Sequence, residues 1–214
     1  MKLTEAKLKQ LINEVLEEGM KTIADLPSGV CISVMRTSEE TIDVFYSDDQ
    51  GNTLSYVSNF EPYGVISMDM ETQMSDEFPC MNAYMVAYSD AVKGWGPLLY
   101  DICIEVATIK AGGLVSDRTI VSPEAYKVWD IYNTSRGDVE KIQLDDEIST
   151  LTPDIEEDDC LQSIAIAYST GKLKDKTPKG TKWNETPVSK LYRKEPTRLG
   201  ELDKSDRLIT NIDI

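Results

Sequence analysis

The apolar residues Leu8, Leu11, Ile12, Val15, Leu16 and Ile23 recur at spacings of three and four. That spacing makes one stripe on a helix, and the Thr4 hydroxyl can cap its start, so an amphipathic helix is predicted over 4–24. Leu26-Pro27-Ser28-Gly29 ends it, and the pattern then changes. Val30-Cys31-Ile32-Ser33-Val34-Met35 and Thr41-Ile42-Asp43-Val44-Phe45-Tyr46 are short apolar-rich runs separated by a polar turn at 37–40, which predicts two neighbouring strands. A loop over 47–62 carries an Asp-Gln-Gly-Asn turn, and further strands are expected at 64–70 and 82–88.

A helix is predicted from Pro97 to about Lys110, stopped by Gly112-Gly113, with a short strand at 114–116. Ser122-Pro123-Glu124 is a second helix start, with a capping serine, proline in the first turn and an acid at the positive end; that helix runs to about Asn133. Strands are expected at 139–144 and 163–169, an acidic irregular stretch at 145–160, and a Lys- and Pro-rich loop over 171–188. Residues 188–193 read as a last strand or edge piece. The element order predicts an α/β (α+β) fold, a mostly antiparallel central sheet flanked by helices. Its parts are an N-terminal amphipathic helix (1–26), a core (27–170), and a basic loop with a C-terminal extension (171–214).

The formal charge of −16 is unevenly spread. Residues 1–170 hold 11 Lys/Arg against 31 Asp/Glu, whereas 171–198 hold nine against three, so the acidic body argues against nucleic acid as a partner. The Lys-rich stretch 172–182 reads as a solvated loop, or as a patch that attracts a coenzyme's phosphates or nucleic acid. No apolar run reaches the ~20 residues of a membrane span, and the N-terminus is too charged for a secretory signal, so no membrane partner is expected. The chain has no histidine, which removes His-based acid–base catalysis and the usual zinc ligands, and no metal site is nominated. Cys31, Cys80, Cys103 and Cys160 never form a Cys-x-x-Cys pair; all four are expected to be reduced, in a cytoplasmic protein.

The segment Lys93-Gly94-Trp95-Gly96-Pro97-Leu98-Leu99-Tyr100-Asp101 joins a strand-like run to a helical one. Two glycines one residue apart let the chain turn tightly, and Pro97 fits a first helical turn. Such a helix start offers unpaired N–H groups and partial positive charge, a seat for a phosphate; it also serves as a plain connecting turn. The turn, followed by Ser122-Pro123-Glu124-Ala125-Tyr126-Lys127-Val128-Trp129, resembles the GNAT superfamily of acyl-CoA-dependent N-acetyltransferases. In that family a Gln/Arg-x-x-Gly-x-Gly/Ala loop holds the coenzyme A pyrophosphate, and an Asn-x-x-Ala-x-x-aliphatic-Tyr pattern lies on the following helix. Both glycines match, whereas Ala91 stands at the first loop position. The stretch 80–135 also resembles acetyltransferase-like proteins of tailed bacteriophages.

The resemblance implies a GNAT-like core and acetyl-CoA as cosubstrate, bound at Lys93, Gly94, Trp95, Gly96, Pro97 and Leu98. An amine acceptor of unidentified type completes the reaction. Trp129 stands where many of these enzymes place the tyrosine that protonates the departing thiolate, and an indole N–H cannot take that role. Tyr132, three residues on, is the nearest hydroxyl on the same helix and becomes the candidate proton donor; Trp129 and Tyr132 read equally as core aromatics. Arg118, beside Asp117, reads as a bridge to Asp101 or as a clamp on substrate. The alternative function is a non-catalytic phage protein of the same fold, in the virion or facing a host protein.

Overall fold

The computed structural model describes residues 19–54, 62–70, 80–117, 121–145, 151–160 and 182–214. Its strands are β1 (Val30–Arg36), β2 (Thr41–Asp48), β3 (Gly64–Asp69), β4 (Tyr84–Ala91), β5 (Leu114–Val115), β6 (Glu140–Gln143), β7 (Lys190–Arg193) and β8 (Leu208–Thr210). They form one mixed sheet in the order β6-β7-β5-β4-β3-β2-β1-β8. The described helices are α1 (Gly96–Lys110), α2 (Pro123–Thr134) and α3 (Thr197–Lys204). The α+β class expected from the element order is the class observed.

Strands β1 to β4 are an antiparallel meander built by the alternation in the sequence. Ile32 and Val34 of β1, Ile42, Val44 and Tyr46 of β2, and Ile66 and Met68 of β3 all turn to one face and are buried there. The β1–β2 turn is fixed by the Ser38 hydroxyl, which accepts from the Thr41 N–H (2.9 Å). Helix α1 lies on that face against β2, β3, β4, β5 and β7, and every residue from Leu98 to Ala107 is buried. It is apolar nearly all round because it has neighbours nearly all round. Helix α2 starts as its sequence dictates: Ser122 Oγ accepts from Ala125 N–H (3.1 Å), with Pro123 in the first turn.

The middle of the sheet is covered on both faces. Tyr84, Leu114 and Tyr192 face the main core, while their neighbours Met85, Val115 and Leu191 join Cys80, Ala83, Leu144 and Cys160 in a second cluster on the other face. The expectation of four unpaired thiols is corrected here: Cys80 and Cys160 form a disulfide with Cα atoms 4.6 Å apart, while Cys31 and Cys103 are buried and free. The bridge forms because 80–82 turn back with positive φ (37°, 56°, 52°) over the same apolar patch that receives residue 160. Cysteine content therefore gives no support for a reducing compartment. Among the described residues no helix is long and apolar enough to cross a membrane.

Other elements also depart from the pattern expected of the sequence. Strand β4 begins at Tyr84 rather than Asn82, because the left-handed turn occupies 80–82. The helix expected to reach Ala24 is not seen over its described end: residues 19–22 are not helical and a 3₁₀ turn follows at Ile23–Asp25, where Asp25 accepts from Thr22 N–H (2.8 Å); residues 1–18 lie outside the described residues. Strand β7 is interior, between β5 and β6, and α3 and β8 continue the fold beyond it. The predicted strand at 163–169 and the basic loop to 181 lie outside the described residues.

Candidate active site

The N-terminus of α1 is built by the turn at 92–95. Trp95 N–H donates to the Val92 carbonyl (3.0 Å), and Gly94 takes φ +90°, a conformation that side chains disfavour. Lys21 N–H donates to the Gly94 carbonyl (2.9 Å), and a Cβ on Gly94 would lie 2.7 Å from the Gly19 carbonyl oxygen. The segment 19–21 therefore covers one side of the turn. Trp95 is buried edge-on to Tyr46, with ring centroids 5.4 Å apart, and Tyr46 Oη donates to the Trp95 carbonyl (2.8 Å).

Among the described residues, only the Ala91 Cβ, at 3.6 Å, would meet a Cβ placed on Gly96, the first residue of α1. Among the described residues no side chain caps this helix end, which leaves its first amides without a side-chain acceptor there. Of the six residues nominated at the turn, Lys93 is exposed, Gly94, Gly96 and Pro97 are half-buried, and Trp95 and Leu98 are core.

A cleft of about 200 Å³ borders α1 at Tyr100, in the helix's second turn, and none of the six nominated residues lines it. Strands β4 and β5 run parallel and pair only at Tyr84↔Leu114 and Met85↔Val115. Beyond Val115 the chain leaves for α2 while β4 continues to Ala91, so a gap opens along 86–89. Val86 to Ser89 form one wall, Tyr100 and Trp129 line the interior, and Asp117, Val121, Ser122 and Ala125 form the other side. On the β3 side Ser67 opposes Tyr88 and Met68 opposes Val86, which leaves Ala87 as a bulge without a ladder partner. The cleft wall is thus a strand with no β5 partner along this length.

Tyr100 Oη donates to Ser89 Oγ (3.2 Å) within this cleft. Burial pushes the Tyr100 phenol up to about 12, while the Ser89 hydrogen bond opposes the rise. The ring packs edge-on to Trp129, with centroids 5.2 Å apart, and Trp129 stacks on Tyr192 at 5.1 Å.

Tyr132 is placed differently. It is fully buried and does not line the cleft. Its hydroxyl lies 2.8 Å from Asp101 Oδ1 and 3.1 Å from the Pro97 carbonyl oxygen. Asp101 is also held by Arg136 (3.0 Å) and, at 3.6 Å, by Arg198. Burial first, then the Asp101 carboxylate, pushes the Tyr132 phenol well above its ordinary range. The arginine bridges to Asp101 thus come from Arg136 and Arg198; Arg118 lies outside the described residues. What Tyr132 does here is tie α2 to the first turns of α1.

The sequence reading passed over Tyr100, Ser89 and Tyr88. The signal available was Tyr88-Ser89-Asp90, a polar interruption at the end of an apolar strand run, four residues before the glycine turn. Comparison of the chain with protein-family models, curated proteins and solved structures finds no match.

Proposed function

We propose that the protein is an acyl-CoA-dependent N-acetyltransferase with a GNAT-like fold. The observation that carries this reading is the cleft opened where β4 and β5 part and lined by Tyr100 of α1, a helix whose N-terminus no side chain caps among the described residues. The meander, the short parallel β4/β5 pair and the glycine turn leading into α1 support the same reading.

In this proposal the amides of Gly96 and Leu98, with the exposed Lys93 ammonium, hold the pyrophosphate. Pro97 has no N–H and serves by starting the helix. The cleft is large enough for the thioester end of the cosubstrate, with the rest lying over the α1 end and the protein surface. Backbone N–H groups of β4 along 86–89 polarise the thioester carbonyl. The acceptor amine attacks the carbonyl carbon, the carbon–sulfur bond breaks, the nitrogen gives up one proton to solvent, and the leaving sulfur takes one. Tyr100 is the hydroxyl we assign to that sulfur, since it lines the cleft, whereas Tyr132 is committed to Asp101.

Calorimetric titration of acetyl-CoA and CoA into the purified chain tests the binding step. Micromolar binding is expected; no heat at millimolar ligand favours the non-catalytic reading. Gly96→Asp is the site-specific variant. Among the described residues its Cβ meets only Ala91, at an ordinary contact distance, and an acid in a first helical turn stabilises the helix, so the variant folds. Its carboxylate falls where the pyrophosphate sits, and binding should weaken by on the order of tenfold to a hundredfold. Unchanged affinity in a folded Gly96→Asp protein rules out this seat.

A further inference from the structure

On the face of the sheet away from α1, the loop at 145–160 gathers three carboxylates. The described part of this loop is pinned by the Cys80–Cys160 bridge and by Asp145 N–H donating to the Asp158 carbonyl (2.9 Å). It is also held by Cys160 N–H donating to the Asp145 carbonyl (3.0 Å). Asp145 is 1% exposed and Asp158 7%. One oxygen of each is well served: Asp145 Oδ2 accepts from the N–H groups of Leu151 and Thr152 (both 2.7 Å) and lies 3.2 Å from Thr152 Oγ1. Asp158 Oδ2 accepts from Thr152 Oγ1 (2.7 Å).

The other oxygen of each, Oδ1, is buried with no hydrogen-bond partner among the described residues. A buried carboxylate oxygen without a donor or cation is costly, and two side by side are more so. Asp159, half-buried, brings a third carboxylate, and one oxygen from each residue lies within 4.8 Å of the others. Among the described residues no Lys or Arg pairs with any of the three.

Buried orphan oxygens on neighbouring carboxylates have the donor set of a hard cation. Oxygen ligands at roughly 2.3–2.6 Å from one calcium ion lie up to about twice that distance apart, so the observed spread is bridged without moving the backbone. The cluster holds no imidazole or thiolate, which disfavours zinc and copper. We propose that Asp145, Asp158 and Asp159 bind a calcium ion that, together with the Cys80–Cys160 bridge, clamps the loop onto the back of the sheet. The site is separate from the cleft and does not depend on the acetyltransferase reading.

The test is calorimetric titration of the full chain, stripped with chelator, with calcium chloride, together with thermal unfolding in calcium and in chelator. One saturable site and a higher melting temperature in calcium are expected. Asp159→Asn is the informative variant, because its carboxylate takes no part in the Thr152 bonds and its loss leaves the loop's own hydrogen bonds intact. It should weaken binding by about tenfold or more, since affinity follows ligand charge. Glu39→Gln, exposed in the β1–β2 turn, should leave binding unchanged. The proposal is overturned by silence toward millimolar calcium, by full affinity in Asp159→Asn, or by an equal loss in Glu39→Gln, which would mark diffuse binding to an acidic surface. A response to magnesium or zinc without one to calcium overturns the choice of ion.

Discussion

Glu105→Ala is expected to destabilise the fold by about 3–5 kcal/mol, the range for breaking a buried ion pair from one side. The Glu105 side chain is wholly buried and pairs with the Lys194 ammonium, itself 2% exposed. The same carboxylate accepts from Arg198 N–H (2.9 Å) and Leu199 N–H (2.8 Å), so α1 caps the N-terminus of α3 across more than ninety residues of sequence. Alanine leaves the Lys194 ammonium buried with Thr197 Oγ1, at 2.8 Å, as its one remaining side-chain hydrogen-bond partner among the described residues, and frees two helix amides. Urea unfolding followed by far-ultraviolet dichroism measures the loss. Glu105→Leu combined with Lys194→Met should recover much of it, because an apolar pair avoids the cost of burying charge. The deficit that remains, about 0.5–2 kcal/mol, is the worth of the cap. A single-variant cost below about 1 kcal/mol would contradict the burial on which this rests.

That cap also explains why the last part of the fold was not legible in the sequence. Strands β1 to β3 were visible because their alternation sits next to turn residues, and α2 because Ser122 and Pro123 carry the start signal within the helix itself. Helix α3 has two buried leucines, Leu199 and Leu202, a glycine at its middle and no capping side chain of its own. Its start is specified by a carboxylate on another helix. Strand β7 was legible as a strand but not as an interior one, because pairing with both β5 and β6 is decided after the chain returns. The Cys80–Cys160 bridge is of the same kind: two thiols in unrelated segments meet over Met85, Val115 and Leu191.

The candidate sites divide along the same line. The turn at 93–98 is local, and its glycines and proline announce a helix start that no side chain caps among the described residues. The cleft is not local. It exists because β4 outruns β5, and only that mismatch brings Ser89, Tyr100 and Trp129 to one surface. Residues 145–160 were legible as acidic and irregular. Their convergence was not, since Asp145 meets Asp158 and Cys160 through backbone bonds thirteen and fifteen residues apart in sequence.

Tyr100→Phe is expected to lower acetyl transfer by about 10²–10⁴, the usual cost of removing a general acid, with acetyl-CoA affinity nearly unchanged. The substitution keeps the ring against Trp129 and removes one hydroxyl, whose partner Ser89 remains open to water in the cleft, so stability should fall by no more than about 1 kcal/mol. With its pKa raised to about 12, Tyr100 stays protonated through neutral and moderately alkaline pH. It is therefore available as a donor throughout that range, and an alkaline loss of activity in the wild type would belong to another group. Tyr132→Phe is the paired measurement. It takes one donor from Asp101, which keeps Arg136 and Arg198, so it should cost roughly 1–3 kcal/mol of stability and leave turnover of the folded protein intact. The opposite pattern, with activity lost in Tyr132→Phe and kept in Tyr100→Phe, would return the proton to Tyr132 and require α2 to shift when substrate binds. Wild-type turnover in both variants would mean that water protonates the leaving sulfur, and neither hydroxyl would be catalytic.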